Sequence, residues 1–426
     1  METRVWNKTF ILLFAFEMFA QIGANTINPI VSNYAVWLGA SYAIAGFLAG
    51  INAFVSFAVR PLAGIFLRRF LRRKILLVAT IAFVASAILC TVFASLITLG
   101  VQRVVFGAAF VFKSALVVAF ASSVVPKEKL GQGVGYIGLA NVLGAALGPV
   151  VASFVSNAMG YPFTCGVGVA FFIIQFIIIT MVKDPHEAEQ EETFAKLREE
   201  NAKKSTREIV KAETRLSSMF HLKTVPLALT FICEAFPYGT ILMFVLLVSE
   251  ERGTTGGAFF FAVYVIVCLL LRPLTTRLYD KYGFAKVFLP EGILMCAGII
   301  ILVYADSVAT FIISAAVFGA GQGALYPSAQ SEAVRGRSTQ ESAMAMNTLY
   351  LGADIGMFIG PLISGIILEV ATSEIMIWAN FAVAVIWVIT LAFYVRWRAK
   401  DDLKEAEAAA AAKAGQTEVA GEQTGE

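Results

Sequence analysis

RPLAGIFLRRFLRRK, from Arg60 to Lys74, has a second copy in RPLTTRLYDKYGFAK, from Arg272 to Lys286, and the two stand 212 residues apart. The same interval carries Val105-Phe106-Gly107-Ala108 onto Val317-Phe318-Gly319-Ala320, and Gly144, Gly148 and Pro149 onto Gly356, Gly360 and Pro361. Separated anchors that share one offset mark a tandem duplication in which each half is one structural unit.

The 426 residues are 58% hydrophobic and 15% charged, with a mean hydropathy of +0.76. That balance argues against an ordinary soluble chain and for an integral membrane protein. The net charge of +3 says little as a total, because placement carries the information. Cys90, Cys165, Cys233, Cys268 and Cys296 each lie in an apolar run without metal-ligand spacing, so they read as packing residues and not as a disulfide framework. Met1 to Lys8 and the apolar run behind it imitate a secretory signal, but many more such runs follow, so the first reads as a span that stays.

A bilayer needs about 20 mostly apolar residues per helix. Such runs centre near Ala20, Phe54, Ala85, Val111, Val142 and Phe172, and then near Leu242, Val267, Leu294, Gly319, Gly356 and Val385. Without water to bond the backbone these runs must be helices. The fold class is therefore all-α integral membrane, with twelve transmembrane helices as two pseudo-symmetric six-helix bundles. Residues 1–182 form the first bundle, 183–222 a linker, 223–398 the second bundle and 399–426 a tail.

Orientation follows from Lys and Arg in the short loops. Arg68, Arg69, Arg72, Arg73 and Lys74 sit between spans 2 and 3, Lys127 and Lys129 between spans 4 and 5, Arg277, Lys281 and Lys286 between spans 8 and 9, and Arg335 and Arg337 between spans 10 and 11. The opposite loops carry Glu250, Glu251, Asp306, Glu369 and Glu374, with Arg252 as the exception. Both termini and the linker are then expected in the cytoplasm of a multi-pass protein of the plasma or inner membrane. The linker, Lys183 to Lys223, is rich in Glu, Lys and Arg at spacings that suit a surface helix paired along itself. Its His186 and His221 are the only histidines and give no metal site. The Ala- and Glu-rich tail after Trp397 is expected to start as a short helix and fray into disorder.

A charged side chain near the bilayer centre costs about 2.5–3.5 kcal/mol on insertion scales, so retained charges point to a use. Glu17 is followed at four-residue steps by Gln21 and Asn25, which places three polar groups on one face of span 1. Phe231-x-x-Glu234-x-Phe236 repeats Phe14-x-x-Glu17-x-Phe19 in span 7, with Tyr238 one turn on, at an offset of 217 rather than 212. Span 4 carries Arg103 and Lys113, span 10 carries Gln322, Tyr326 and Gln330, and span 11 adds Asn347, Tyr350 and Asp354. These spans are expected to face one polar cavity. At 1.5 Å per residue Glu17 lies roughly 13 Å from the inner end of its span and Lys113 at a similar depth, so the two can pair. Gly107 to Ser114 mimics a phosphate loop but has Phe112 where the second glycine is required, inside a span where backbone N–H groups are not free.

Two six-span halves with a basic loop after spans 2 and 8 resemble the major facilitator superfamily, and the resemblance covers all twelve spans. Gly64, Arg69, Arg72 and Arg73 match the family's loop motif; Arg103-x-x-x-Gly107 resembles its span 4 motif. Gly144-x-x-x-Gly148-Pro149 resembles the span 5 motif associated with antiporters, with Ala152 and Ser153 in place of its closing glycines. Pro126-Lys-Glu-Lys-Leu-Gly131-Gln-Gly133-Val-Gly135-Tyr136 and Pro29 resemble the drug- and sugar-exporter branch. In the loop, Arg68 stands where the family has Asp, and Leu71 where it has Gly, while the second copy keeps Asp280 and Gly283. The repeat pairs Arg68 with Asp280 and Lys129 with Glu341, which suggests a sign swap: Arg68 with Glu341 and Asp280 with Lys129 closing a cytoplasmic gate.

The resemblance implies secondary transport by alternating access, with proton-coupled efflux of a small amphipathic molecule as the leading expectation. Glu17, then Glu234 and Asp354, are the expected proton-coupling groups. Arg103 and Lys113 tune them or bind an anionic group, while Gln21, Asn25, Tyr238, Gln322, Tyr326 and Asn347 are the expected substrate contacts. No enzymatic activity, cofactor, metal or nucleic-acid partner is expected, and the chain is expected to work as a monomer in the bilayer. Composition does not set direction, so a proton-coupled importer or facilitator on the same fold stays open, as does a non-transporting membrane receptor.

Overall fold

The computed structural model describes residues 5–67, 70–126, 129–188, 190–192, 221–323, 325–335, 337 and 339–423. Among them the regular structure is helical throughout. In the first half α1 (Lys8–Ile27) passes through a 3-10 turn, Asn28–Ile30, into α2 (Val31–Trp37). There follow α3 (Tyr42–Leu67), α4 (Arg72–Val92), α5 (Leu96–Ser123), α6 (Leu130–Met159) and α7 (Tyr161–Met181). The second half holds α8 (Val225–Glu251), α9 (Gly256–Tyr282), α10 (Phe284–Val303), α11 (Val308–Gln322), α12 (Leu325–Val334), α13 (Thr339–Val370) and α14 (Ser373–Gln423).

Eleven described segments are long and apolar enough to cross a membrane, with α1 and α2 counted as one. The tenth span is described as α11 and α12; Ala324 between them lies outside the described residues, and Gly323 before it keeps helical angles, φ −56° and ψ −41°. The tail departs from expectation: α14 runs unbroken to Gln423, as its Ala, Glu and Lys content favours. Most of the linker, residues 193–220, lies outside the described residues.

The duplication recurs in the packing. Ser95 with Thr98 and Ser307 with Thr310 form capping boxes at the starts of α5 and α11, again 212 residues apart. A Cβ on Gly107 would lie 2.4 Å from the Asn52 carbonyl oxygen, and one on Gly319 would lie 2.8 Å from that of Tyr264. A Cβ on Gly144 would meet the Met18 carbonyl, Gln21 Cβ and Ile22 N, while one on Gly356 would meet the Ile232 carbonyl, Ala235 Cβ and Phe236 N. These last partners are offset by 214 residues, which fixes the register of α8 on α1. Phe231, not Glu234, thus stands in the place of Glu17, and Glu234 lies three residues on. The motif alignment is wrong by about one helical turn, because glycine contacts, not the Phe and Glu spacing, set how these helices pack. The loop copies differ too: Gly283 takes φ +78° between α9 and α10, whereas Leu71 sits at φ −58° before α4.

The face where the chain enters α1 is called here the terminal face. Each half ties its last span there with an ion pair. Arg72 at the start of α4 pairs with Asp184 just beyond α7, and Arg398 of α14 donates to buried Glu332 of α12 at 3.0 Å. Burial would raise the Asp184 carboxyl, but hydrogen bonds from Arg72, the His186 N–H and Gln190 hold it below its usual value.

The halves meet where α3 lies along α13 and α6 along α9. Cβ atoms on Gly46, Gly50 and Gly365 would come within 2.2 Å of the Pro361, 2.6 Å of the Phe358 and 2.3 Å of the Tyr42 carbonyl oxygens. On the opposite face Asn33 Nδ2 donates to Glu250 at 2.7 Å and the Ala43 N–H to Glu369 at 3.2 Å. The seam thus rests on backbone contact that any side chain would hold apart. Gly46→Ala is expected to lower stability by about 1–3 kcal/mol in thermal unfolding of the detergent-solubilised chain. Gly135→Ala, where a Cβ meets nothing within 4 Å, is expected to leave it unchanged or raise it. Equal falls for both would contradict this seam.

Candidate functional site

Besides the contacts of Arg103, the candidate polar groups inside the bundles fall into three sets. In the first half, α1 and α5 bring Glu17 and Lys113 together: Lys113 Nζ donates to Glu17 Oε1 at 2.8 Å and to Oε2 at 2.9 Å. Both side chains are buried. Gln21 Nε2 donates to the same Oε1 at 2.9 Å, and Asn25 Nδ2 to the Gln21 carbonyl at 2.9 Å. The four-residue stripe on span 1 is thus one hydrogen-bonded ladder ending on a buried ion pair. Lys113 Nζ also lies 5.0 Å from the centre of the Phe110 ring.

Arg103 does not join this set. Its Nη1 donates to Asn28 Oδ1, its Nε to the Leu48 carbonyl at 3.2 Å and its Nη2 to the Ala49 carbonyl at 3.0 Å. Asn28 and Pro29 form the 3-10 turn that ends α1. Fully buried, Arg103 ties that turn to α3 and α5.

In the second half Gln322 Nε2 donates to Glu234 Oε1 at 2.9 Å and lies 3.3 Å from Met295 Sδ. Tyr264 donates to Tyr238 at 3.4 Å beside it. Glu234 is buried like Glu17 but is held by an amide rather than a cation.

The third set crosses the seam. Arg60 Nη2 and Nε donate to Asp354 Oδ2 at 2.7 and 2.9 Å, joining α3 of one half to α13 of the other. The Arg60 guanidinium lies 5.0 Å over the Tyr350 ring; Tyr350 stacks on Tyr326 at 6.0 Å and accepts from Gln330 Nε2 at 3.1 Å. Asn347 is half-buried on α13, two turns from Asp354. Arg60 to Tyr42 spans about 27 Å of helix at 1.5 Å per residue, so this pair marks the terminal-face end of the glycine seam.

Arg60 was missed as a partner although it heads the repeated stretch. Its signal was an Arg deep in an apolar span with an acid at matching depth in span 11. The repeat concealed it, since Val142 occupies the position of Asp354 in the first half. Of the expected gate pairs, Arg68 and the Asp280 side chain lie outside the described residues. Lys129 is the N-cap of α6 and Glu341 sits in the first turn of α13.

Two six-span bundles built from one repeated unit, with ionisable groups held inside and across their seam, define a membrane transporter architecture. The family model for the Major Facilitator Superfamily matches residues 13–283 and 227–421. An uncharacterised MFS-type transporter, YuxJ of Bacillus subtilis, is 25% identical over 334 residues, 76% of this chain and 81% of its own. Multidrug resistance protein 1 of the same organism is 22% identical, covering 93% of this chain and 98% of its own. The crystal structure of the nucleoside transporter NupG superposes with a TM-score of 0.71 at 12% identity, covering 91% of this chain and 99% of its own. The chain belongs to the Major Facilitator Superfamily.

Removing one member of a buried ion pair strands the other, at about 3–5 kcal/mol. Lys113→Met is therefore expected to destabilise the chain strongly in thermal unfolding, and Glu17→Gln with Lys113→Met to recover most of the loss. A double variant no better than Lys113→Met would contradict the pairing.

Proposed function

We propose that this chain is a secondary active transporter that works by alternating access and couples proton movement to export of a small amphipathic molecule. The observation that carries the reading is that, of the carboxyl groups kept inside apolar spans, Glu17, Glu234 and Asp354 each have a different kind of partner. Breaking the Glu17 pair strands a buried ammonium, so Lys113 must then gain another partner, such as an anionic substrate group. Protonating Glu234 strands nothing, because Gln322 is neutral. Protonating Asp354 releases Arg60 across the seam. Proton uptake at the third site is thereby linked to separation of the halves, while the second can take up a proton with its partner in place.

Residues 1–182 and 223–398 act as the two rocking units, joined by 183–222, with 399–426 as a tail. The Lys- and Arg-rich loops assign the terminal face to the cytoplasm of a cell membrane. Gln21, Asn25, Tyr238, Gln322, Tyr326 and Asn347 line the route of the substrate, and the single chain is the transporting unit. In the state open to the opposite face, Arg68 with Glu341 and Asp280 with Lys129 close the cytoplasmic side. Proton movement down the membrane potential supplies about 2.3 kcal/mol per 100 mV. Similarity to a relative named for multidrug resistance supports export.

The test is transport in proteoliposomes under an imposed pH gradient, with a compound first found by thermal-shift screening. Glu17→Gln, Glu234→Gln and Asp354→Asn are each expected to lower pH-driven flux at least tenfold, about 1.4 kcal/mol in the barrier. Reversing the gradient is expected to reverse the flux. Undiminished flux in all three variants, or flux indifferent to the gradient, would contradict proton coupling.

A further inference from the structure

Where the halves meet on the opposite face, a vestibule of about 300 Å³ opens between the end of α2, the starts of α3 and α7, and the end of α8. Its lining is divided by chemistry along the seam. The first half supplies the rings of Trp37, Tyr42 and Tyr161, and the second half supplies the carboxylates of Glu250 and Glu251. Such a volume sits at the lower end of the range for small-molecule sites.

Of these rings, Tyr161 is held in place before any ligand arrives. Tyr161 stacks on buried Tyr34 with centroids 5.7 Å apart and meets Trp37 edge-on at 6.2 Å. Tyr34 is fixed in turn by donating to the Cys90 carbonyl at 3.1 Å. Across the seam, Glu250 Oε2 accepts from Asn33 at 2.7 Å and from Tyr161 at 3.3 Å, both neutral donors. The neighbouring Arg252 donates through its Nη1 to the Leu302 and Ala305 carbonyls, and its charge is shared among Glu251, Glu374 and Asp306. Aromatic residues at a membrane boundary usually form a belt facing lipid. These instead share a cavity with two carboxylates, and the faces of aromatic rings attract cations as carboxylates do.

We propose that this vestibule binds a small organic cation, an ammonium group carrying apolar substituents, between the rings of one half and the carboxylates of the other. The apolar substituents lie against Trp37 and Tyr42, and the charge lies toward Glu250 and Glu251. A ligand that touches both halves favours the state in which this face is closed, because separation carries the carboxylates away from the rings. The site stands apart from Glu17, Glu234 and Asp354, so its test does not depend on proton coupling.

The experiment is calorimetric titration of the full chain in detergent, at fixed ionic strength, with choline and with its neutral carbon isostere dimethylbutanol. Choline is expected to bind saturably and at least tenfold more tightly than the isostere. Glu250→Gln with Glu251→Gln, and separately Trp37→Ala, are each expected to weaken choline at least tenfold, about 1.4 kcal/mol. Glu374→Gln, on the same face but outside the lining, is expected to change nothing. Equal binding of choline and the isostere on the unaltered chain, or no saturation below about 100 mM, overturns the proposal whatever the variants do. Displacement of choline by magnesium with no effect of Trp37→Ala would assign the vestibule to an inorganic cation instead and also overturn it.

Discussion

No water follows these helices into the bilayer, so each charge inside them must find its partner within the protein. Glu17 finds Lys113, Arg103 finds the Asn28 amide and two backbone carbonyls, and Asp354 finds Arg60. What distinguishes them is where the partner stands. The first two are satisfied within one bundle. The Asp354 to Arg60 pair reaches from one bundle to the other, so any motion that parts the halves there must break it or carry one partner along.

The seam that this pair terminates is made of glycine against carbonyl. Gly46, Gly50 and Gly365 bring the α3 and α13 backbones into direct contact from the opposite face downward, with Phe54 and Phe358 packed 5.0 Å apart beside them. Small-residue contacts of this kind hold helices together through close packing, since lipid provides no hydrophobic drive between them. At the far end the seam is sealed by hydrogen bonds to Glu250 and Glu369. Polar contacts at both ends of a tight but unbonded middle suit a surface that must open at one face while closing at the other.

The sequence made the architecture legible because the bilayer dictates length, helix and sidedness of each apolar run, and because the duplication repeats its anchors at one interval. Depth counting alone allowed the Glu17 and Lys113 pair, since position along a helix translates directly into height. Rotation and register were less legible. Glu234 resembles Glu17 in its neighbours, yet the glycines of α13 seat α8 one turn away from that correspondence. Arg103 looked like a cavity charge because nothing in one dimension shows that a proline turn and two carbonyls wait for it.

The central claim is that the bundles rock as units about this seam. Spin labels at Phe93→Cys and Val370→Cys report the opposite face, and labels at Lys74→Cys and Lys286→Cys the terminal face, in a chain whose five native cysteines have been replaced. Pulsed dipolar distance measurements across the pH range are expected to show one distance lengthening as the other shortens. Distances that stay fixed, or that lengthen together, would contradict the account.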